Sequence, residues 1–366
     1  MRKIMSGFWL MVPVFLPVLL GLVFPYKKWL KTRAQRTGYI GTSLLLCGIL
    51  SLIVIFAAGS ELSFTLWRMT DVLTIYFRMD GISKVFAVLT TFVWVIVGFY
   101  AFGYMKHEEE EEKFYRYYLI VYGVLLGLDF SGNLISMYLF YELMTLSSLP
   151  LVLHSRTKEA VMAGLKYLFY SIAGAFLSLL AIFFFYQYGT TMEFTAGGVL
   201  DMAKVAGNEP VLLLVIFLAI VGFGCKAGMF PLHAWLPTAH PVAPSPASAV
   251  LSGIITKAGV LAIIRVVFYI VGADFIRGTW VQYAWIGLSL FTVFMGSMLA
   301  YLEPLLKKRL AYSSVSQVSY VLFGLSVLHP VGALGVIPTQ ALIPLPPFRS
   351  FPRPSLRPSP SRRGAR

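Results

Sequence analysis

Two apolar runs between Val211 and Val271 each contain a lysine and are joined by a proline-rich break, a combination that few folds allow. The run VLLLVIFLAIVGFG leads into Lys226. The backbone is then interrupted at Pro231 and again from Pro237 through Pro246, after which a second apolar helix holds Lys257. In hydrocarbon, freed N–H and C=O groups find no water, so a broken helix at membrane depth is buried in protein or lines a wet cavity. The two lysines favour the cavity, because ionisable residues inside a membrane usually mark an ion pathway.

The rest of the chain fits that setting. It is 58% hydrophobic and only 13% charged, outside the usage of soluble domains. Several apolar runs of about 18 residues or more predict an all-α polytopic membrane protein with about ten transmembrane helices. The spans read as 7–24, 38–58, 82–104, 115–131, 132–153, 163–187, 211–230 (the broken one), 246–271, 281–302 and 310–328. The first is too long, and lacks the small-residue site, for a cleaved signal peptide. Cys47 and Cys225 both lie in apolar segments, so neither a disulfide framework nor a metal site is indicated. The formal charge of +14 reads as a topology signal and not as nucleic-acid binding.

Loop charges set the orientation. Lys27, Lys28, Lys31, Arg33 and Arg36 follow span one, and Lys106, Lys113 and Arg116 follow span three. Arg156 and Lys158 follow span five, and Lys307, Lys308 and Arg309 follow span nine. The opposite loops hold only Arg68, Arg78, Lys204 and Arg277. The N-terminus is therefore expected outside a cytoplasmic (inner) membrane. The run Glu108–Glu112 reads as a solvated cytoplasmic loop, with a docking patch for a basic partner as the livelier alternative. From Val331 the chain has six arginines and no Lys, Asp or Glu, with eight prolines from Pro338 onward. Such a tail is expected to stay disordered or polyproline-like, and its abrupt composition has the look of a frameshift. The expected organisation is thus residues 1–80 (two spans and an external loop), 81–330 (the translocating unit) and 331–366 (the tail).

Glu142 lies about ten residues into span five, near the bilayer midplane at about 1.5 Å per residue. A lone carboxylate there costs several kcal/mol unless it is paired or neutralised, and Lys226 and Lys257 pose the same problem with opposite sign. A Glu–Lys pair that forms and breaks moves a lysine between proton-holding and proton-releasing states, as a proton relay requires. Plainer roles stay open: Glu142 as a packing acid bonded to Tyr141 or a neighbour, and Lys226 snorkelling from the end of its span. Lys257, about eleven residues into its span, snorkels poorly. His233 and His240 lack metal-ligand spacing, and each is either a loop hydrogen-bonder or a proton-path residue. Trp235 reads as an interfacial or packing residue, and the small residues around Ser245–Gly253 allow close helix approach.

Three stretches then resemble a known family: YELMTLSSLPLVL with Glu142, KAGMFPLHAWLPTAHPVAPSPASAVLSGIITKAG, and KKRLAYSSVSQVSYVLFGL. They are similar to the proton-conducting, antiporter-like membrane subunits of NADH:quinone oxidoreductase (complex I), membrane-bound hydrogenases and Mrp-type cation/proton antiporters. The resemblance covers about residues 80–330. It implies two inverted five-helix repeats, each with a broken helix, the first complete here and the second incomplete, as in a C-terminally truncated chain. It places the family's ion-pair glutamate on Glu142, its broken-helix lysine on Lys226 and its connecting lysine on Lys257. Thr238 stands where the family often has an acid. The implied function is proton translocation as a subunit of a respiratory complex, with other membrane subunits as partners. Na⁺/H⁺ exchange is the alternative, and a truncated chain acting only as a scaffold a third. No dinucleotide loop, Cys cluster or haem motif is present in the sequence, so no cofactor and no redox catalysis are expected.

Overall fold

A computed structural model describes residues 6–24, 30–57, 62–70 and 73–329. The arginine-rich tail and the basic pair Lys27–Lys28 therefore lie outside the described residues.

The fold is a bundle of helices: α1 (Met11–Val23), α2 (Arg33–Ala57), α3 (Gly81–Tyr104), α4 (Glu111–Asp129), α5 (Leu134–Val152) and α6 (Lys158–Tyr188). They are followed by α7 (Glu209–Ala227), α8 (Leu236–Val242), α9 (Ser245–Val271), α10 (Trp280–Leu302) and α11 (Leu306–Ser326). Among the described residues, seven helices are long and apolar enough to cross a membrane. Helix starts follow local chemistry. The Asp80 carboxylate accepts from Ser83 N at the start of α3, Asn133 accepts from Ser136 N at α5, and Thr157 accepts from Ala160 N at α6.

Between α2 and α3 lies an element that the sequence reading treated as loop. Strands β1 (Ser63–Arg68) and β2 (Thr74–Arg78) pair antiparallel, Phe64 opposite Phe77 and Thr65 opposite Tyr76, with a register shift between Thr65 and Trp67. The α4–α5 connection docks on this hairpin, with Gly132 N donating to Tyr76 O and Asn133 Nδ2 to Thr74 O. The hairpin marks one end of the bundle.

The other end is marked by the glutamates. Arg33 pairs with Glu111 at 2.8 Å, Arg156 with Glu110 at 2.7 Å, and Arg36 with Glu112. The acidic run is thus counter-charge to the chain's own arginines, and the basic loops predicted to share one side do share one end. Such partly exposed pairs contribute little to stability, about 0–1 kcal/mol each.

The break after α7 differs in detail from expectation. Gly228, with φ of 76°, closes α7 in the left-handed conformation that glycine adopts without a Cβ penalty. Residues 228–235 form turns, but Pro237 and Pro241 lie inside a helix, α8. The expected interruption from Pro237 through Pro246 therefore shrinks to Ala243–Pro244. The reason is Pro237's place in the first helical turn, where its missing N–H is not needed. α9, nearly all buried, has π-helical stretches at Leu251–Ile255 and Arg265–Val271 that residue types alone did not signal.

Candidate functional site

Lys226 sits where α6, α7 and the turn before α8 meet. A Cβ on Gly174 would lie 2.6 Å from Gly222 O, and one on Gly259 would lie 2.6 Å from Ala227 N. These bare crossings let α6 and α9 close on α7, so that the last turn of α7 points into the bundle. Lys226 is 0% exposed, so the snorkelling reading is overturned: the crossing helices leave no path for its amine to an interface. Its Nζ donates to Ser171 Oγ at 2.7 Å and to Tyr167 Oη at 2.8 Å, both on α6. It also stands 4.1 Å from the Tyr167 ring centroid and 5.7 Å from that of Trp235. Trp235 is fully buried, packs against Tyr167 and donates Nε1–H to Cys225 O at 2.8 Å. It is a packing residue and not an interfacial one.

Tyr167 extends the contact. Its hydroxyl lies 2.8 Å from Ser148 Oγ on α5, so a hydroxyl chain runs from Lys226 across α6 to α5. Sequence reasoning missed Tyr167, Ser171 and Ser148. The available signal was the i, i+4 spacing of Tyr167 and Ser171 on the small-residue face of α6.

Glu142 on α5 is half-buried, and its Oε1 is buried without a hydrogen-bond partner. The plainer alternative of a bond from Tyr141 is not realised, because that hydroxyl donates to Phe223 O at 3.2 Å. The charge of Lys226 reaches Glu142, but the two form no ion pair within 4.0 Å. The structure thus brings Glu142 into the electrostatic range of Lys226 and not into contact.

Lys257 is buried on α9, and its Nζ donates to Ser252 O at 2.6 Å. That carbonyl belongs to the π-helical stretch, where the wider turn leaves it free to accept, and Thr256 Oγ1 also donates to it at 2.8 Å. His240, on α8, is buried; the charges of Lys257 and Lys307 both reach it, and its Nε2 has no partner. Lys307 in turn donates to Ala243 O at 3.0 Å, at the end of the bundle that holds Glu108. His233 is separate: half-buried, stacked on Phe230, with Nδ1 unpartnered and the charge of Lys166 nearby. The structure therefore groups Glu142 with Lys226, and Lys257 with His240, and leaves His233 apart.

The chain has relatives. A family model described as NADH:quinone oxidoreductase/Mrp antiporter, transmembrane, matches residues 131–338, more than half of the chain. A second, described as NADH-ubiquinone oxidoreductase (complex I), chain 5 N-terminus, matches residues 69–118. Hydrogenase-4 component B of Escherichia coli (strain K12) is 30% identical over 280 residues, covering 71% of this chain and 40% of that protein. An Na(+)/H(+) antiporter subunit of Bacillus subtilis (strain 168) is 26% identical over 335 residues, 89% of this chain and 65% of that protein. The chain thus spans 40% and 65% of the lengths of these two relatives. Among solved structures, the Mrp complex from Dietzia sp. DQ12-45-1b contains a chain of the same fold. It superposes with a TM-score of 0.75 at 22% identity, over 92% of this chain and 61% of that one. The chain belongs to the NADH:quinone oxidoreductase/Mrp antiporter family of multi-pass membrane proteins.

Proposed function

We propose that this chain translocates protons as a membrane subunit of a respiratory-type complex, with residues 81–330 as the translocating unit. Lys226 is the central proton carrier and Glu142 the charge that modulates it. Lys257 and His240 continue the route toward the glutamate end. The observation that supports this reading most is the environment of Lys226: fully buried, with two donated hydrogen bonds to neutral hydroxyls. A neutral amine has two hydrogens to donate and an ammonium has three. The site therefore satisfies the neutral form and holds the charged form without a contact carboxylate that would lock it. The basic loops gathered at the glutamate end support a cytoplasmic position for that end, with the hairpin outside. Na⁺/H⁺ exchange is a second reading, favoured by the likeness to the antiporter protein from Bacillus subtilis.

The test is pH-driven dye quenching in vesicles that hold the chain in its native complex. Glu142→Gln, Lys226→Ala and the double variant should each stop most proton transfer, the double costing little more than either single change, because residues acting as a unit are non-additive. Near-wild-type transfer by Lys226→Ala in a fully assembled complex would sink the relay.

A further inference from the structure

A second buried ionisable cluster lies at the hairpin end, away from Lys226. Its centre is Asp129, the last residue of α4, which is 3% exposed. The Thr90 hydroxyl, on α3, donates to Asp129 Oδ2 at 2.8 Å. The cation whose charge reaches it is Arg265 on α9, itself 2% exposed. Arg265 has committed its donors elsewhere: Nη1 to Asp80 Oδ2 at 2.5 Å, and Nη2 to Asp80 Oδ1 and Ser83 Oγ at 2.9 Å each. The guanidinium also lies 4.8 Å from the Phe194 ring centroid and 4.9 Å from that of Tyr269, which fixes its plane. Arg78, on β2, approaches Asp80 at 4.0 Å from the more exposed side and donates to Phe194 O. Tyr122, two turns back on α4, turns its hydroxyl to Thr91 at 3.2 Å and Ser51 at 3.3 Å.

Asp129 thus makes no ion pair within 4.0 Å. A carboxylate shut away from water with a hydroxyl in place of a contact cation is costly, and binding a proton removes that cost. Asp80, by contrast, is paired, and its side chain is 21% exposed toward the hairpin face.

We propose that Asp129 is a second proton-carrying site, held by Thr90, which passes protons to the hairpin face under the influence of Arg265. In the loaded state the Asp129 carboxyl keeps its O–H bond. On release that bond breaks, the proton passes to water at the hairpin face past Asp80, and the Asp129 carboxylate left behind is stabilised by Arg265. No redox partner is needed. This inference rests on the proton-translocation reading for its role, but the proton on Asp129 can be read without any transport.

The test therefore has two arms, both on the chain in its native complex. In infrared spectra collected across a pH titration, wild type should show a protonated-carboxyl band that Asp129→Asn abolishes and Thr90→Val moves to higher frequency, because the carboxyl loses a hydrogen bond. In vesicles, Asp129→Asn, which mimics a permanently neutral carboxyl, should slow proton transfer at least tenfold with normal assembly. If Asp129→Asn fails to assemble, the Thr90→Val band shift still decides the first arm. Absence of the band, its insensitivity to both variants, or a lost band with transfer within twofold of wild type would each overturn the proposal. That last outcome, with Glu142→Gln inactive, would leave the Lys226 relay standing.

Discussion

The hydroxyl shell of Lys226 is the sharpest place to perturb the proposed relay, because the two ligands can be removed separately without touching the lysine. Ser171→Ala deletes the 2.7 Å bond to Nζ. Tyr167→Phe deletes the 2.8 Å bond to Nζ and the 2.8 Å contact with Ser148, yet leaves the ring at 4.1 Å from the amine. A hydrogen bond to a charged group contributes about 1.5–3 kcal/mol. At about 1.4 kcal/mol per factor of ten, each loss should slow proton transfer by up to roughly 10- to 100-fold. The cavity left by Ser171→Ala can take a water that replaces part of the lost bond, so its effect belongs at the lower end. Tyr167→Ala removes a further ring contact, about 1–2 kcal/mol, and should be worse than Tyr167→Phe. Ser171→Thr keeps the hydroxyl and should pump within a fewfold of wild type. The assay is pH-driven quenching in inverted vesicles, with complex assembly checked by blue-native gels. Wild-type pumping by both Tyr167→Phe and Ser171→Ala in assembled complexes would refute the idea that these hydroxyls hold a working proton site.

Two further outcomes follow from the ends of the bundle. Cysteines placed at Lys31 and Arg309 should react only with reagents that reach the cytoplasm, and one placed at Thr65 in the hairpin should react from outside. Cys47 and Cys225 are buried and give little background, and the reverse labelling pattern would overturn the orientation. At the hairpin end, burial pushes the Asp80 carboxyl up, but the Arg265 hydrogen bonds and charge outweigh it and hold it below the usual carboxylate range. The pair's stability is then full above the unfolded Asp value of about 3.9 and is lost as pH falls through the lower folded value. Asp80→Asn leaves Arg265 buried and unpaired and should cost roughly 3–5 kcal/mol at neutral pH. In thermal denaturation, the gap to wild type should stay constant from pH 7 to about 5 and narrow only below about 4. A gap that is absent at neutral pH would show that the pair does not support the fold.

What the sequence made legible was charge where charge is costly. Glu142, Lys226 and Lys257 stand out because each interrupts an apolar run, and the proline-rich break stands out because backbone cannot be left bare in lipid. The ligands of Lys226 did not stand out, because Tyr167 and Ser171 are ordinary helix residues 59 and 55 positions away. Only the crossing of α6 over α7 at Gly174 and Gly222 brings them to the amine. Asp129 was hidden by position: at the end of a span it looks like part of the DFSGN turn, and the Thr90 hydroxyl and Arg265 charge that reach it come from two other helices. The π-helical stretches were not legible at all, since the same residues fit an α-helix and tertiary packing decides between the two. The hairpin was missed although Phe64 and Leu66, then Ile75 and Phe77, alternate along it. A short two-stranded ribbon gives too few periods to stand out from a loop.

The distance between Glu142 and Lys226 bears on the mechanism as much as their identity does. At an effective dielectric of about 20, opposite unit charges attract by roughly 4 kcal/mol at 4 Å and about 2 kcal/mol at 8 Å. A contact pair would hold the lysine charged too firmly for it to release a proton in each cycle. With no ion pair within 4.0 Å, the field of Glu142 at Lys226 is weaker than a contact pair's. Holding the lysine falls instead to neutral hydroxyls, which accept from the ammonium and the amine alike. In the proposed relay the glutamate is the adjustable part of the site and the hydroxyl shell the fixed part. In that proposed relay, a partner that shifts α5 changes the charge felt by Lys226 without breaking a bond to it.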